Sequence, residues 1–179
     1  KSNIFHLYFS SGLQRDLIMK NSAVIFFDEG LKESDIIIAG KKTYELIEEA
    51  LKRSSFDGEI FYSVPEDFSI TIEGKNLIPR SKSNYDGWIS LFEKTSSDNI
   101  LKIFADSPFI DSEILSEMLS IHTEYLAEFT YSENLPSGLS CEIFSAELIK
   151  MLPKTDEKIL PISDVVKKNI NNFDVELYY

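Results

Sequence analysis

The sequence predicts a three-layer α/β/α domain with a mostly parallel sheet. Three observations carry that reading. Short apolar runs stopped by acidic or turn residues alternate with amphipathic stretches. One of those stretches, after Asp111, keeps the helical period over several turns. No internal repeat, low-complexity linker or long apolar span interrupts the pattern. A chain of 179 residues with 43% hydrophobic content suits one core, because domains usually hold roughly 100–200 residues. Residues 1–179 are therefore expected to form one domain. Its last residues read as a strand, which suggests a domain boundary within a longer protein.

The elements follow in order. Asn3 to Phe9 is apolar enough for a strand and Leu13 to Lys20 for a short helix. Ala23-Val24-Ile25-Phe26-Phe27 is a continuous apolar run ended by Asp28-Glu29-Gly30, as expected of a strand buried on both faces. Tyr44, Ile47, Ala50 and Leu51 share a helical face, so Lys41 to Arg53 reads as an amphipathic helix. Glu59 to Val64 is the next strand, closed by Pro65, which cannot continue a central ladder. Ile70 to Ile72 is strand-like and Leu77 to Arg80 extended, and Trp88, Leu91 and Phe92 mark a helix from Asp86 to Lys94.

Ile100 to Ala105 forms a third buried strand ending at Asp106. Asp111 then caps a helix with Ile114, Leu115, Met118, Leu119 and Leu126 on its apolar period. Ala127 to Tyr131 reads as a strand, Leu135 to Gly138 as a turn, and Glu142 to Leu152 as a strand or a helix. Ser163 can cap a helix running to Asn171, and Phe173 to Tyr179 alternates like a half-buried strand.

Charge narrows the partners. Lys and Arg total 18 against 30 Asp and Glu, a net charge of −12. The average surface therefore repels nucleic acid and anionic membranes. An anionic ligand such as a nucleotide needs local lysines, backbone N–H donors or a divalent cation. The single Cys141 excludes an internal disulfide and thiolate metal cages, and a cytoplasmic location is expected. The longest apolar runs, Ala23 to Phe27 and Ile36 to Ala39, fall far short of the ~20 residues that span a bilayer.

In open α/β sheets ligands collect beyond the carboxyl ends of the strands. Three acidic strand ends stand there: Asp28 and Glu29, Glu66 and Asp67, and Asp106. Mg²⁺ needs only one or two carboxylates beside water and phosphates, which makes Asp106 the best metal candidate. The alternative is that Asp106 merely opens a turn before Pro108 while Asp111 caps a helix. With His6 and His122 the only imidazoles, a Ser or Cys triad has little to draw on. His122 lies beside an apolar stripe, where a packed or surface histidine is the simpler reading, and Cys141 reads as a small core residue.

Ala105-Asp106-Ser107-Pro108-Phe109-Ile110-Asp111 before a helix resembles the strand-end Asp-x-Pro motif of sugar and cytidylyl nucleotidyltransferases. Gly40 to Glu45 before a helix, Phe61 to Pro65 as a strand and Asn134 to Ile143 as a later loop and strand extend the likeness. The order and spacing are also similar to the N-terminal nucleotidyltransferase-like region of the spiro-SPASM proteins, over roughly Asn21 to Leu152.

The resemblance implies a nucleotide-diphospho-sugar transferase-like fold, with Asp106 as ligand of Mg²⁺. It suggests Glu142 by position as a second ligand, an ordinary strand residue being the alternative. Where the family carries a glycine-rich basic loop for the triphosphate, this chain has Phe27-Asp28-Glu29-Gly30-Leu31-Lys32-Glu33. Lys32, Lys41 and Lys42 are the candidate replacements. The implied role is a degenerate nucleotidyltransferase-like domain that recognises or docks a larger polypeptide, with a radical SAM/SPASM portion of the same protein as candidate partner. The alternative is an active Mg-dependent enzyme joining a nucleotide to a small acceptor.

Overall fold

Alternating side chains of one central strand define the layers. The structure, a computed structural model, describes residues 19–28, 31–32, 36–66, 68, 72–80, 85–152 and 162–179. The strand expected over Asn3 to Phe9 lies outside them, as do the expected helix at Leu13 to Lys20 except its last two residues, Ile70 and Thr71, and the acidic candidates Glu29 and Asp67. Strand β1, Asn21–Phe26, points Ala23 and Ile25 into one apolar cluster and Val24 and Phe26 into another. Burial on both faces is why the run is continuously apolar.

Around β1 stand β4 (Glu59–Pro65), β5 (Leu77–Arg80), β6 (Asn99–Phe104), β7 (Phe129–Ser132), β8 (Glu142–Ser145) and β9 (Val175–Tyr178). The order is β5-β4-β1-β6-β8-β7-β9. Neighbours pair in parallel except that β8 runs against both β6 and β7. Helices α1 (Thr43–Arg53) and α3 (Ser112–Glu124) pack on one face through Tyr44, Ile47, Leu51, Leu115 and Met118. Helices α2 (Tyr85–Thr95), α4 (Ala146–Met151) and α5 (Ile162–Lys168) cover the other through Trp88, Leu91, Leu148 and Val166. This is the three-layer α/β/α architecture with a mostly parallel sheet.

Local chemistry sets the boundaries. Asp111 caps α3 as expected: its Oδ1 accepts from the backbone N–H groups of Glu113 and Ile114 at 2.8 and 3.1 Å. At Gly58, leading into β4, an added Cβ would stand 2.0 Å from the Asn21 carbonyl oxygen, so only glycine lets β4 enter against β1.

Several expected boundaries move. Lys41 and Lys42 do not begin the helix but form β3 (Lys41–Lys42), paired antiparallel with β2 (Ile37–Ile38). Ala39 and Gly40 both take positive φ between them, the pattern of a tight type I′ hairpin turn. Leu126 leaves the apolar stripe of α3: it lies past the helix end at φ 51° and is 68% exposed. The chain turns there, with the Ala127 N–H donating to the His122 carbonyl, and the strand starts only at Phe129.

Glu142 to Leu152 is both a strand and a helix, because the Ser145 hydroxyl accepts from Leu148 N–H at 3.1 Å and caps α4. Ser163 sits inside α5 rather than capping it, and that helix ends at Lys168 before a 3₁₀ turn at Ile170–Asn172.

Opposite the strand ends that matter for ligands, a polar network closes the sheet. His122 is 1% exposed, with Nδ1 2.8 Å from Thr130 Oγ1 and Nε2 3.2 Å from Asn99 Oδ1, while Asn99 donates to Asn21 Oδ1. Asn99 Oδ1 can only accept, so Nε2 carries the imidazole proton and Nδ1 accepts from the Thr130 hydroxyl. Burial pushes the imidazole pKa down from 6.5 to about 4.

Candidate functional site

The carboxyl ends of β1, β4 and β6 lie side by side, and pairing continues one residue beyond the strands. Ala105 N–H donates to the Phe26 carbonyl at 2.8 Å, and Phe27 N–H to the Ser63 carbonyl at 3.0 Å. Arg80, at the end of β5, reaches over those of β4 and β1. Its Nη1 donates to the carbonyl and hydroxyl of Ser63 at 3.2 and 2.9 Å, and its Nη2 to the Phe27 carbonyl at 2.8 Å. The guanidinium also lies 5.1 Å from the Phe26 ring centroid, and Trp88 stacks on that ring at 5.4 Å. One planar cation thereby satisfies two strand-end carbonyls and an aromatic face.

Beside it, Lys102 Nζ lies 5.7 Å from the Phe26 centroid and 4.3 Å from that of Phe104, and it pairs with Glu142 Oε2 at 3.0 Å. A cleft of about 260 Å³ opens over this pair, walled by Phe104 and Ser107, by Tyr131 and Ser132, and by residues 135–138, 140 and 141. That loop is tied to the Asp106 segment: Asp111 N–H donates to the Leu139 carbonyl at 3.1 Å, and Gly138, at φ 87°, faces Ser107, whose hydroxyl would lie in ordinary van der Waals contact, 3.5 Å, with an added Cβ.

Two groups on the cleft wall stay protonated at neutral pH. Burial pushes the Cys141 thiol up to about 12, and burial together with a 2.9 Å hydrogen bond to Glu133 does the same for Tyr131. Cys141 is thus the inert core cysteine that the sequence suggests.

The expected site residues are partly gathered. Asp106 is exposed in the turn after β6, where Ser107 N–H donates back to the Phe104 carbonyl at 3.1 Å. The Thr43 hydroxyl donates to the carbonyl of Ala105, the chain neighbour of Asp106, and so fastens the β3–α1 junction that carries Lys41 and Lys42 to that turn. Lys41 turns to Glu49 at 3.5 Å, and the Lys42 ammonium lies 5.9 Å from the Tyr44 ring centroid. Lys32 is exposed after the turn in which Leu31 N–H meets the Asp28 carbonyl at 3.3 Å. Glu142 is held by Lys102, so a cation bound there would have to displace an ammonium.

Among the described residues no three His, Cys, Asp or Glu side chains come together as a metal cage. The donors fit a divalent cation only if it brings water and phosphate oxygens to the single carboxylate of Asp106. Arg80 and Lys102 are the cations that sequence reasoning missed. Lys102 had a signal, being the one charge in Ile100-Leu101-Lys102-Ile103-Phe104. Arg80 had little, since only the folded sheet brings it to Phe27 and Ser63.

No protein-family profile matches the chain. A relative in Bacillus subtilis, the spore coat polysaccharide biosynthesis protein SpsF, is 30% identical over 64 residues, covering 36% of this chain and 27% of that protein. The match therefore spans about a quarter of the relative's length.

Among solved structures, a cytidylyltransferase from Leptospira borgpetersenii superposes with a TM-score of 0.72 at 20% identity, over 89% of this chain and 76% of that one. This chain has a nucleotidyltransferase-like fold. The chain also superposes on a CMP:2-keto-3-deoxy-manno-octonic acid synthetase solved with CTP, with a TM-score of 0.64 at 8% identity over 89% and 88% of the two chains. A Mycobacterium tuberculosis protein solved with manganese gives 0.58 at 9% identity over 89% and 87%. Identities this low establish the fold and leave the site to be argued from its own residues. Among the described residues no helix is long and apolar enough to cross a membrane.

Proposed function

We propose that this nucleotidyltransferase-like domain is a recognition module that uses the carboxyl-end surface of its sheet to bind or dock and does not itself transfer nucleotides. Arg80 carries the reading. Its guanidinium is bonded to the carbonyls of Phe27 and Ser63 and lies over the Phe26 ring, so those donors face the protein's own strand ends. The β1 exit that follows is a buried Phe27 and an exposed Asp28, which offers a triphosphate an acid where it needs N–H donors and positive charge. The resemblance to spiro-SPASM proteins supports a radical SAM/SPASM portion of the same protein, in the cytoplasm, as the docked polypeptide.

A second reading, an active divalent-metal-dependent nucleotidyltransferase, is favoured by one observation: Asp106 is exposed beyond β6 with the Lys41–Lys42 ribbon fastened to its neighbour Ala105. In that reading Asp106 would hold Mg²⁺ or Mn²⁺, which would neutralise phosphate charge, and Lys32, Lys41 and Lys42 would steer the nucleotide.

Thermal unfolding with CTP and other nucleoside triphosphates, each with and without Mg²⁺ or Mn²⁺, separates the two. The recognition module should show no metal-dependent rise in Tm. A rise of several degrees that disappears in Asp106→Asn would place a metal–nucleotide complex at Asp106 and favour the enzyme instead.

A further inference from the structure

The end of the sheet opposite Asp106 presents apolar side chains that the fold does not use. Because β8 runs against both β6 and β7, strands β7 and β9 begin at that end. Leu126, in the turn before β7, holds a φ of 51°, which a residue with a Cβ adopts only against steric repulsion, and it is 68% exposed. The turn thus bears strain and wets a leucine with little packing in return. Tyr125 beside it, Met151 at the end of α4 and Ile170 in the 3₁₀ turn are exposed as well. Single exposed apolar residues are ordinary, but several at one end of a sheet mark a contact surface.

A second observation says what that surface would meet. Met151 lines a hollow of about 230 Å³ with Glu128, Asn171, Asn172, Phe173 and Asp174, and Leu126 and Ile170 flank it in the chain. The charged residues of the hollow are both acids, and neither is paired with a lysine or arginine among the described residues. Glu128 Oε2 accepts from the Asp174 N–H at 2.9 Å, which leaves Glu128 Oε1 and the Asp174 carboxylate to accept from a cation. Uncompensated acid beside apolar surface is complementary to a partner that carries cationic and apolar side chains together. A second copy is a poor match, because a net charge of −12 repels itself.

We propose that this surface docks a basic polypeptide segment with arginine or lysine next to apolar side chains, the cation entering the hollow and the apolar groups covering Leu126 and Met151. It lies at the other end of the sheet from the role proposed above and stands whether or not the strand ends near Asp106 bind anything.

Backbone amide NMR of the chain, titrated with a short peptide alternating leucine and arginine, tests it at about 150 mM NaCl, where unspecific attraction to the acidic surface is screened. Shifts should centre on residues 125–128 and 171–174. Counterparts with glutamate for arginine, or serine for leucine, should bind at least about tenfold more weakly. Leu126→Asn, whose side chain tolerates positive φ, should raise Tm while weakening the peptide about fivefold. Asp174→Asn should weaken it as much, and it decides the matter should Leu126→Asn not fold. Shifts absent or spread over the whole acidic surface, a Tm lowered by Leu126→Asn, or an affinity unchanged in either variant would each overturn the proposal. So would a concentration-dependent dimer in sedimentation equilibrium that perturbs the same amides, because the occupant would then be a second copy.

Discussion

His122 shows how much one side chain depends on residues far along the chain. Its partners, Thr130 and Asn99, lie 8 and 23 positions away, and only the packing of α3 on the sheet brings them to the imidazole. Because its pKa falls from 6.5 to about 4 on folding, the unfolded chain takes up the proton first. Stability is therefore full above about 6.5 and is lost as pH falls toward about 4, by on the order of 3 kcal/mol. His122→Gln removes the titrating group, so urea denaturation at pH 7 and pH 5 should show a smaller loss for the variant than for the wild type.

Asp111 is the contrasting case. Its cap is local, three residues of chain suffice to make it, and it was legible in the sequence. Asp111→Ala should cost about 1 kcal/mol, measurable as a lower urea midpoint with an unchanged slope.

Among the elements, the boundaries that moved are those decided by contacts rather than by period. The Ile37 to Lys42 ribbon is short and exposed, so no amphipathic pattern announced it, although the Ala39-Gly40 pair at positive φ makes it a hairpin. Glu142 to Met151 holds apolar residues compatible with either strand or helix, and the Ser145 cap divides it. The junction of β1 and β4 makes a sharper prediction. Gly58→Ala places a methyl 2.0 Å from the Asn21 carbonyl, and backbone cannot yield as a side chain tip does. A loss of about 3 kcal/mol or more is expected, seen as a fall in Tm, while Gly74→Ala, with nothing within 4 Å of its Cβ, should cost only the backbone strain of its φ of 68°.

At the scale of the whole molecule, a net charge of −12 on 179 residues opposes compaction through self-repulsion. Raising NaCl from about 20 mM to about 300 mM shortens the screening length and should raise Tm. A Tm that falls instead would mean that pairs such as Lys75–Glu48 and Lys102–Glu142 outweigh the repulsion.

The same scale divides what could be read from what could not. Hydrophobic runs and helical periods determined the three layers, the mostly parallel sheet and the capped helix after Asp111, because each follows from neighbours within a turn or a strand. They also placed Asp106 at a strand end, and there its chemistry stops being local. Which cations face the strand ends depended on the sheet order, which sets Arg80 against Phe27 and Ser63 and Lys102 against Glu142 across 53, 17 and 40 residues of chain. Electrostatics acts through space, and only the tertiary structure fixes those distances.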